Sequence, residues 1–176
     1  MKRKKIYLFS VRSSEPFVYF GKDKIILNQA KKDKNIVYGA QSVKKQIGMF
    51  ARPTQDYDIY SKNPRASAYK LQKTLDKHSG GDYYFSRPAM HPGTFKVKYV
   101  GVDRKKDTQD DIEIADFTKP NRKIAYTNIQ GVNYSALKET LKDKFKSLKD
   151  KKYAFRHEKD RQDVNRIQTY QRYRRI

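Results

Sequence analysis

Residues 35–60 read NIVYGAQSVKKQIGMFARPTQDYDIY. Ile36, Val37 and Tyr38 form a short apolar run with the content of a buried strand. It ends at Gly39, where the missing Cβ permits a tight turn and a close approach of backbone to a ligand. Beyond the Gly39-Ala40-Gln41-Ser42 turn, Val43, Ile47 and Phe50 recur at i, i+4 and i+7, which predicts a helix from about Gln41 to Phe50 that Pro53 closes. Strand, glycine turn and helix N-terminus together present free backbone N–H groups to an anion. Tyr57 to Ser61 then resumes as a strand. Its alternation sets Asp56 and Asp58 on one face, and Tyr57 and Ile59 on the other.

Before this stretch, Ile6-Tyr7-Leu8-Phe9 reads as a first strand behind the basic tip Lys2–Lys5. Ile25, Ile26, Leu27 and Ala30 predict a short helix within 23–34. After it, Asn63-Pro64 starts a helix with inner face Ala68, Leu71, Leu75 and His78, ended by Ser79-Gly80-Gly81. Residues 82–86, 94–101 and 111–117 predict three strands, and 121–127 a fourth short one. The period then changes. Leu137, Leu141, Phe145 and Leu148 mark a helix over 135–149, and Val164, Ile167 and Tyr170 the inner face of another over 153–173. Mixed strands and helices with a helical finish argue an α+β fold: a mixed-sheet core over 1–130, with a helical segment, 131–176, packed on the same core.

The chain is long enough for one domain with a real core. Forty-one Lys and Arg against nineteen Asp and Glu leave a net charge of +22, which points to a polyanionic partner. Nucleic acid is favoured, RNA in particular, because phosphate neutralisation supplies most non-specific affinity. A membrane partner is not expected, since no basic amphipathic segment stands apart from the core. With no cysteine, disulfides and thiolate metal sites are excluded. The run Ile6–Phe9 is too short for a signal-peptide core or a membrane span, so the expected location is intracellular: the cytoplasm, or the interior of a virion. A composition rich in Lys, Asn, Tyr and Ile would suit an AT-rich genome, viral or parasitic.

Asp56, Asp58 and Glu113 are the carboxylates that stand out. Two acids at i and i+2 of a strand point the same way and repel, which a divalent cation between them relieves. Glu113, in Ile112-Glu113-Ile114 on a later strand, completes an oxygen cage suited to Mg²⁺ or Mn²⁺. A two-ion site of that kind serves in-line phosphoryl or nucleotidyl transfer. Alternating acids also occur on exposed strand edges, and Asp116, three residues on in Ala115-Asp116-Phe117, satisfies the same local pattern.

Gly39-Ala40-x-Ser42, Arg52-x-Thr54-x-Asp56-Tyr57-Asp58-Ile59 and Ile112-Glu113-Ile114 together resemble the nucleotidyltransferase superfamily, the polymerase-beta-like fold. Within it, the Arg-x-Thr-x-Asp-x-Asp string is similar to the nucleotidyltransferase toxins of abortive-infection systems. So is Arg156-x-x-Lys159-Asp160-x-x-Asp163-Val164 in the C-terminal helices, and the likeness spans most of the chain, about 35–167. The resemblance implies transfer of an NMP from an NTP to a hydroxyl acceptor, RNA or tRNA included. Asp56, Asp58 and Glu113 would be catalytic and metal-binding, while Gly39, Ala40, Ser42, Arg52, Lys144 and Lys159 would lie against the NTP phosphates. Ala40 departs from the family pattern, which more often has Ser or Gly there. That departure and the high positive charge keep a second reading open: a non-catalytic nucleic-acid-binding protein, or a structural component of a virion or ribonucleoprotein, on a degenerate version of the same fold.

Other constellations give less. His78, His91 and His157 are too scattered for a metal site. Neither a Gly-x-Ser-x-Gly elbow nor a Walker loop is present. Arg156 with Asp160, and Lys159 with Asp163, have i, i+4 spacing for charge pairs along a helix. The tail Tyr170–Arg175 interleaves aromatics and arginines, which suits base stacking and a helix C-terminus equally.

Overall fold

The computed structural model describes residues 21–174. Seven strands form one mixed sheet: β1 (Ile36–Tyr38), β2 (Tyr57–Tyr60), β3 (Tyr84–Pro88), β4 (Thr94–Tyr99), β5 (Ile112–Thr118), β6 (Tyr126–Ile129) and β7 (Val132–Ser135), in the order β3-β4-β5-β2-β1-β7-β6. β2 runs parallel to β5, and β1 parallel to β7; the other neighbours are antiparallel. The helices are α1 (Lys22–Lys32), α2 (Gly39–Ile47), α3 (Pro64–Ser79), α4 (Leu137–Lys149) and α5 (His157–Tyr173), with short 3₁₀ turns after α2 and before α5. This is the predicted α+β class. The run Ile6–Phe9 lies outside the described residues.

Alternation along the strands sorts the sheet into two faces. Val37, Tyr57, Ile59, Ala115, Phe117 and Val97 are buried against Ile26 and Ala30 of α1 and Ala68, Leu71 and Leu75 of α3. Each of the larger aliphatic and phenylalanine side chains among them contributes roughly 1.5–3 kcal/mol by leaving water. His78, expected on the inner face of α3, is exposed instead. On the other side Val43 and Ile47 of α2 meet Ile167 of α5, with Leu137 and Leu141 half-buried beside them. Asn63 caps α3 through Oδ1, which accepts from the Ala66 amide at 3.2 Å, and Pro64 takes the first turn as expected.

The C-terminal part differs from the sequence reading in several places: the strand expected over 121–127 is Tyr126–Ile129, and the last helix starts at His157 rather than near 153. Val132–Ser135 is a strand, joined to β6 by Gln130-Gly131, both at positive φ (55° and 84°), as a two-residue hairpin turn demands. The helical part therefore begins at Leu137 rather than near 131. In α4 the buried positions are Thr140 and Lys144, whereas Phe145 is exposed. The N-terminal half of the apolar stripe packs on α2 and α5, while Lys144 reaches two buried carboxylates on α5. Among the described residues no helix is long and apolar enough to cross a membrane.

Candidate functional site

Gly39 and Asp58 are in direct contact. Tyr38 and Asp58 are partners across the antiparallel β1–β2 pair, so the carboxylate rises beside the point where β1 turns into α2. Gly39 has φ 64°, and a Cβ there would stand 2.0 Å from Asp58 Oδ2. The glycine thus meets two demands, a left-handed backbone and the space taken by a carboxylate. No side chain caps α2. Its first N–H groups lack intrahelical partners, so the helix start has donors to offer an anion next to Asp58.

Asp116 of β5 is the parallel-sheet partner of Asp58. Glu113 reaches the same face only because the β4–β5 register shifts between Val97 and Lys98. Simple alternation would send residues three apart to opposite faces. Lys96 of β4 confirms the shared face: its Nζ donates to Glu113 Oε1 and lies 3.5 Å from Asp116 Oδ2. Glu113 is exposed, however, and Asp116 is the acid nearer Asp58 in register. Asp56 precedes β2 in an exposed bend, and its Oδ1 accepts from Thr54 Oγ1 at 2.9 Å.

Crowding marks these acids electrically. Burial first, then the charges of Asp56 and Asp116, lift the Asp58 carboxyl from 3.8 to about 7, against the opposing pull of Arg156 and Lys159. Asp116 is also raised, chiefly by burial, with Lys96 opposing and Glu113 and Asp56 adding. Adjacent carboxylates such as Asp58 and Asp116 are oxygen donors of the kind a hard divalent cation takes. As the side chains are placed, no group of three or more His, Asp or Glu among the described residues is arranged to hold one. Thr54 holds Asp56 and Lys96 holds Asp116, so a cation would have to draw both across.

The residues expected at the phosphates divide. Gly39 and Ala40 are at the helix start, although the Ala40 side chain is buried and only its backbone is offered. Ser42 is fully buried; its Oγ donates to the Ser135 carbonyl at 2.8 Å and accepts from Gln46 Nε2 at 3.0 Å. One turn into α2, its hydroxyl is tied to β7, away from the anion site. Arg52 and Lys144 are likewise committed elsewhere. Lys144 Nζ sits 2.9 Å from Asp160 and 2.7 Å from Asp163, Arg52 Nε is 3.1 Å from Asp163, and Arg156 Nε 3.1 Å from Asp160. Both acids are at most 2 % exposed. Burial alone would raise Asp160, yet the hydrogen bond and charge of Lys144 hold it below its ordinary value.

This buried cluster ties α4, the start of α5 and the segment before β2 together. The expected Arg156–Asp160 pair is present, but Asp163 is taken by Arg52 and Lys144 rather than by Lys159. Lys159 is exposed and, with Arg156, acts electrostatically on Asp58. Sequence reasoning passed over Lys96 and the stacked rings of Tyr38 and Tyr60, 3.9 Å apart beside Asp58. Lys96 had one signal, the alternating Lys96 and Lys98 on a strand that could pair with an acidic one.

No protein-family model and no curated protein matches the chain. Among solved structures it is similar to the Megavirus polyadenylate synthase, with a TM-score of 0.67 and 20% identity over 86% of this chain and 32% of that one. It therefore spans about a third of that protein's length. JHP933 from Helicobacter pylori aligns over 74% of this chain and 57% of its own, at 10% identity and a TM-score of 0.45. The match to the synthase over most of this chain shows a nucleotidyltransferase-like α+β fold.

Proposed function

We propose that the chain catalyses divalent-metal-dependent transfer of a nucleoside monophosphate from an NTP to a hydroxyl group, with RNA as the acceptor. The observation that carries this reading is the packing of Asp58 against Gly39, which sets a carboxylate beside an uncapped helix N-terminus. Asp56, Asp58 and Asp116 would hold the Mg²⁺ or Mn²⁺ ions, which would polarise the phosphates and activate the acceptor. Backbone N–H groups of Gly39, Ala40 and Gln41 would receive the triphosphate, with Arg156 and Lys159 offsetting its charge. The acceptor oxygen forms a bond to the α-phosphorus as the bond to the β-phosphate oxygen breaks and pyrophosphate leaves; the hydroxyl proton passes to Asp116. Glu113, held off by Lys96, would keep Asp116 oriented rather than bind metal itself. The likeness to a polyadenylate synthase supports an NTP and a nucleic acid as substrates, as does the net charge of +22.

The test is incorporation of labelled nucleotide onto RNA with Mg²⁺ or Mn²⁺. Asp56→Ala with Asp58→Ala should abolish it while circular dichroism stays unchanged, and a double variant as active as wild type would refute the reading. One observation favours the non-catalytic alternative: Ser42 faces inward and gives its hydroxyl to Ser135 rather than to the Gly39-Ala40 turn. Under that alternative, calorimetry finds no metal-dependent NTP binding, while nucleic-acid affinity falls steeply with salt.

A further inference from the structure

The face of the sheet opposite the carboxylates carries a second site. Phe95 of β4 pairs with Phe117 of β5, the immediate neighbour of Asp116, so Phe95 and Asp116 point to opposite sides of the sheet. There the N-terminal half of α3 stands off from β3 and β4 and leaves an open cleft of about 820 Å³. That volume lies within the range of about 300–1,000 Å³ typical of small-ligand sites.

The walls of the cleft have a definite chemistry. Tyr69 lines it and is 56 % exposed, an aromatic surface in water with Lys73 Nζ 5.6 Å from its ring centroid. Phe95 supplies a second ring, half-buried against the core. Gln72 accepts from the Ser86 hydroxyl through Oε1 at 2.9 Å, which leaves its NH₂ group as a donor. Arg65, also in the lining, makes no ion pair with any described residue. An exposed ring beside a half-buried one, an amide donor and a spare guanidinium match an unpaired nucleobase and its phosphate, the elements that single-strand binders use. A peptide acceptor would find no carboxylate or apolar channel specific to it here, and the +22 charge favours the polyanion.

We propose that this cleft binds a nucleotide of single-stranded RNA, with a base stacked on Tyr69 and a phosphate on Arg65. The inference rests on the reading of RNA as acceptor and names the subsite for a nucleotide upstream of the reacting end. Among the described residues β3 is an edge of the sheet, two strands from β5. At about 4.8 Å per strand the edge is roughly 10 Å from β5, and crossing the thickness of the sheet to the other face adds about as much again, a path of roughly 20 Å that several nucleotides of flexible chain can cover.

The experiment measures anisotropy of a short labelled single-stranded oligoribonucleotide on the full chain, without NTP or metal. Tyr69→Ala should weaken binding roughly 5- to 100-fold, the range of one base stack, and Tyr69→Phe should restore it. Arg65→Gln should lower the salt slope by about one, and a 5-iodouridine probe should cross-link to Tyr69. Both positions are exposed, so the variants keep the fold. Wild-type affinity in Tyr69→Ala, or cross-links confined to the carboxylate face, would overturn the proposal. Asp58→Asn separates the two readings: it should lose nucleotide transfer yet bind the oligonucleotide as wild type does. If wild type transfers no nucleotide but binding still depends on Tyr69, the cleft stands and the catalytic reading falls.

Discussion

Replacing Asp58 by asparagine should stabilise the metal-free protein at alkaline pH, although the residue is central to the proposed chemistry. The folded environment lifts this carboxyl from 3.8 to about 7, with burial as the main cause and the Asp56 and Asp116 charges adding to it. A carboxyl raised by folding binds more protons in the native state than in the unfolded state between those two values, so stability falls as pH rises through that window and then levels off. At about 1.4 kcal/mol per pKa unit, the ionised carboxylate costs the fold on the order of 4 kcal/mol at pH 8. The asparagine amide would resemble the protonated acid in shape and lack the charge. For a chain of this size the gain corresponds to a rise in Tm of roughly 8–16 °C at pH 8. Near pH 4 the gain should shrink to about 0.6 kcal/mol, because wild-type Asp58 is then protonated when folded and only partly ionised when unfolded. Thermal melts of both proteins in chelator from pH 4 to 8 measure this directly. Mn²⁺ added at pH 8 should raise the wild-type Tm and leave Asp58→Asn unmoved. An asparagine variant that melts at or below wild type at pH 8, or whose advantage is the same at pH 4, would refute the assignment of Asp58 as a crowded, half-buried carboxylate.

Three further substitutions probe the frame around it. Gly39→Ala places a Cβ 2.0 Å from Asp58 Oδ2 at a positive φ, so it should destabilise strongly; adding Asp58→Ala should recover part of the loss, with a coupling of about 1 kcal/mol or more in a denaturant-measured double-mutant cycle. Lys144→Met removes the cation between two buried acids and should cost about 3–5 kcal/mol in urea unfolding, and an unchanged midpoint would show that the cluster is not buried as described. Ser42→Ala should lower stability by about 1–2 kcal/mol while leaving the KM for NTP unaltered; a large rise in KM would mean that the hydroxyl faces the phosphates after all.

The local grammar of the chain was legible from its residues. Apolar run, glycine, amphipathic helix and Asp-x-Asp each depend on spacings of a few residues, and β1, α2, β2 and the caps of α3 follow from them. So does the α+β class, because the switch from strand to helix period after residue 135 is written in the side chains. Tertiary structure decided which chemistry each polar residue serves. Glu113 and Asp116 are equivalent in sequence, and only the register shift in β4–β5 puts both on one face, with Asp116 beside Asp58. Ser42 follows a glycine turn as a phosphate ligand would, yet β7, a strand hidden in a polar hairpin, captures its hydroxyl. Lys144 and Arg52 have no local sign of burial; they are drawn inward by Asp160 and Asp163, acids more than ten residues away. Spacing along a strand or helix fixes which side chains can share a face, whereas register and burial depend on partners distant in the chain, and those set charge, orientation and access.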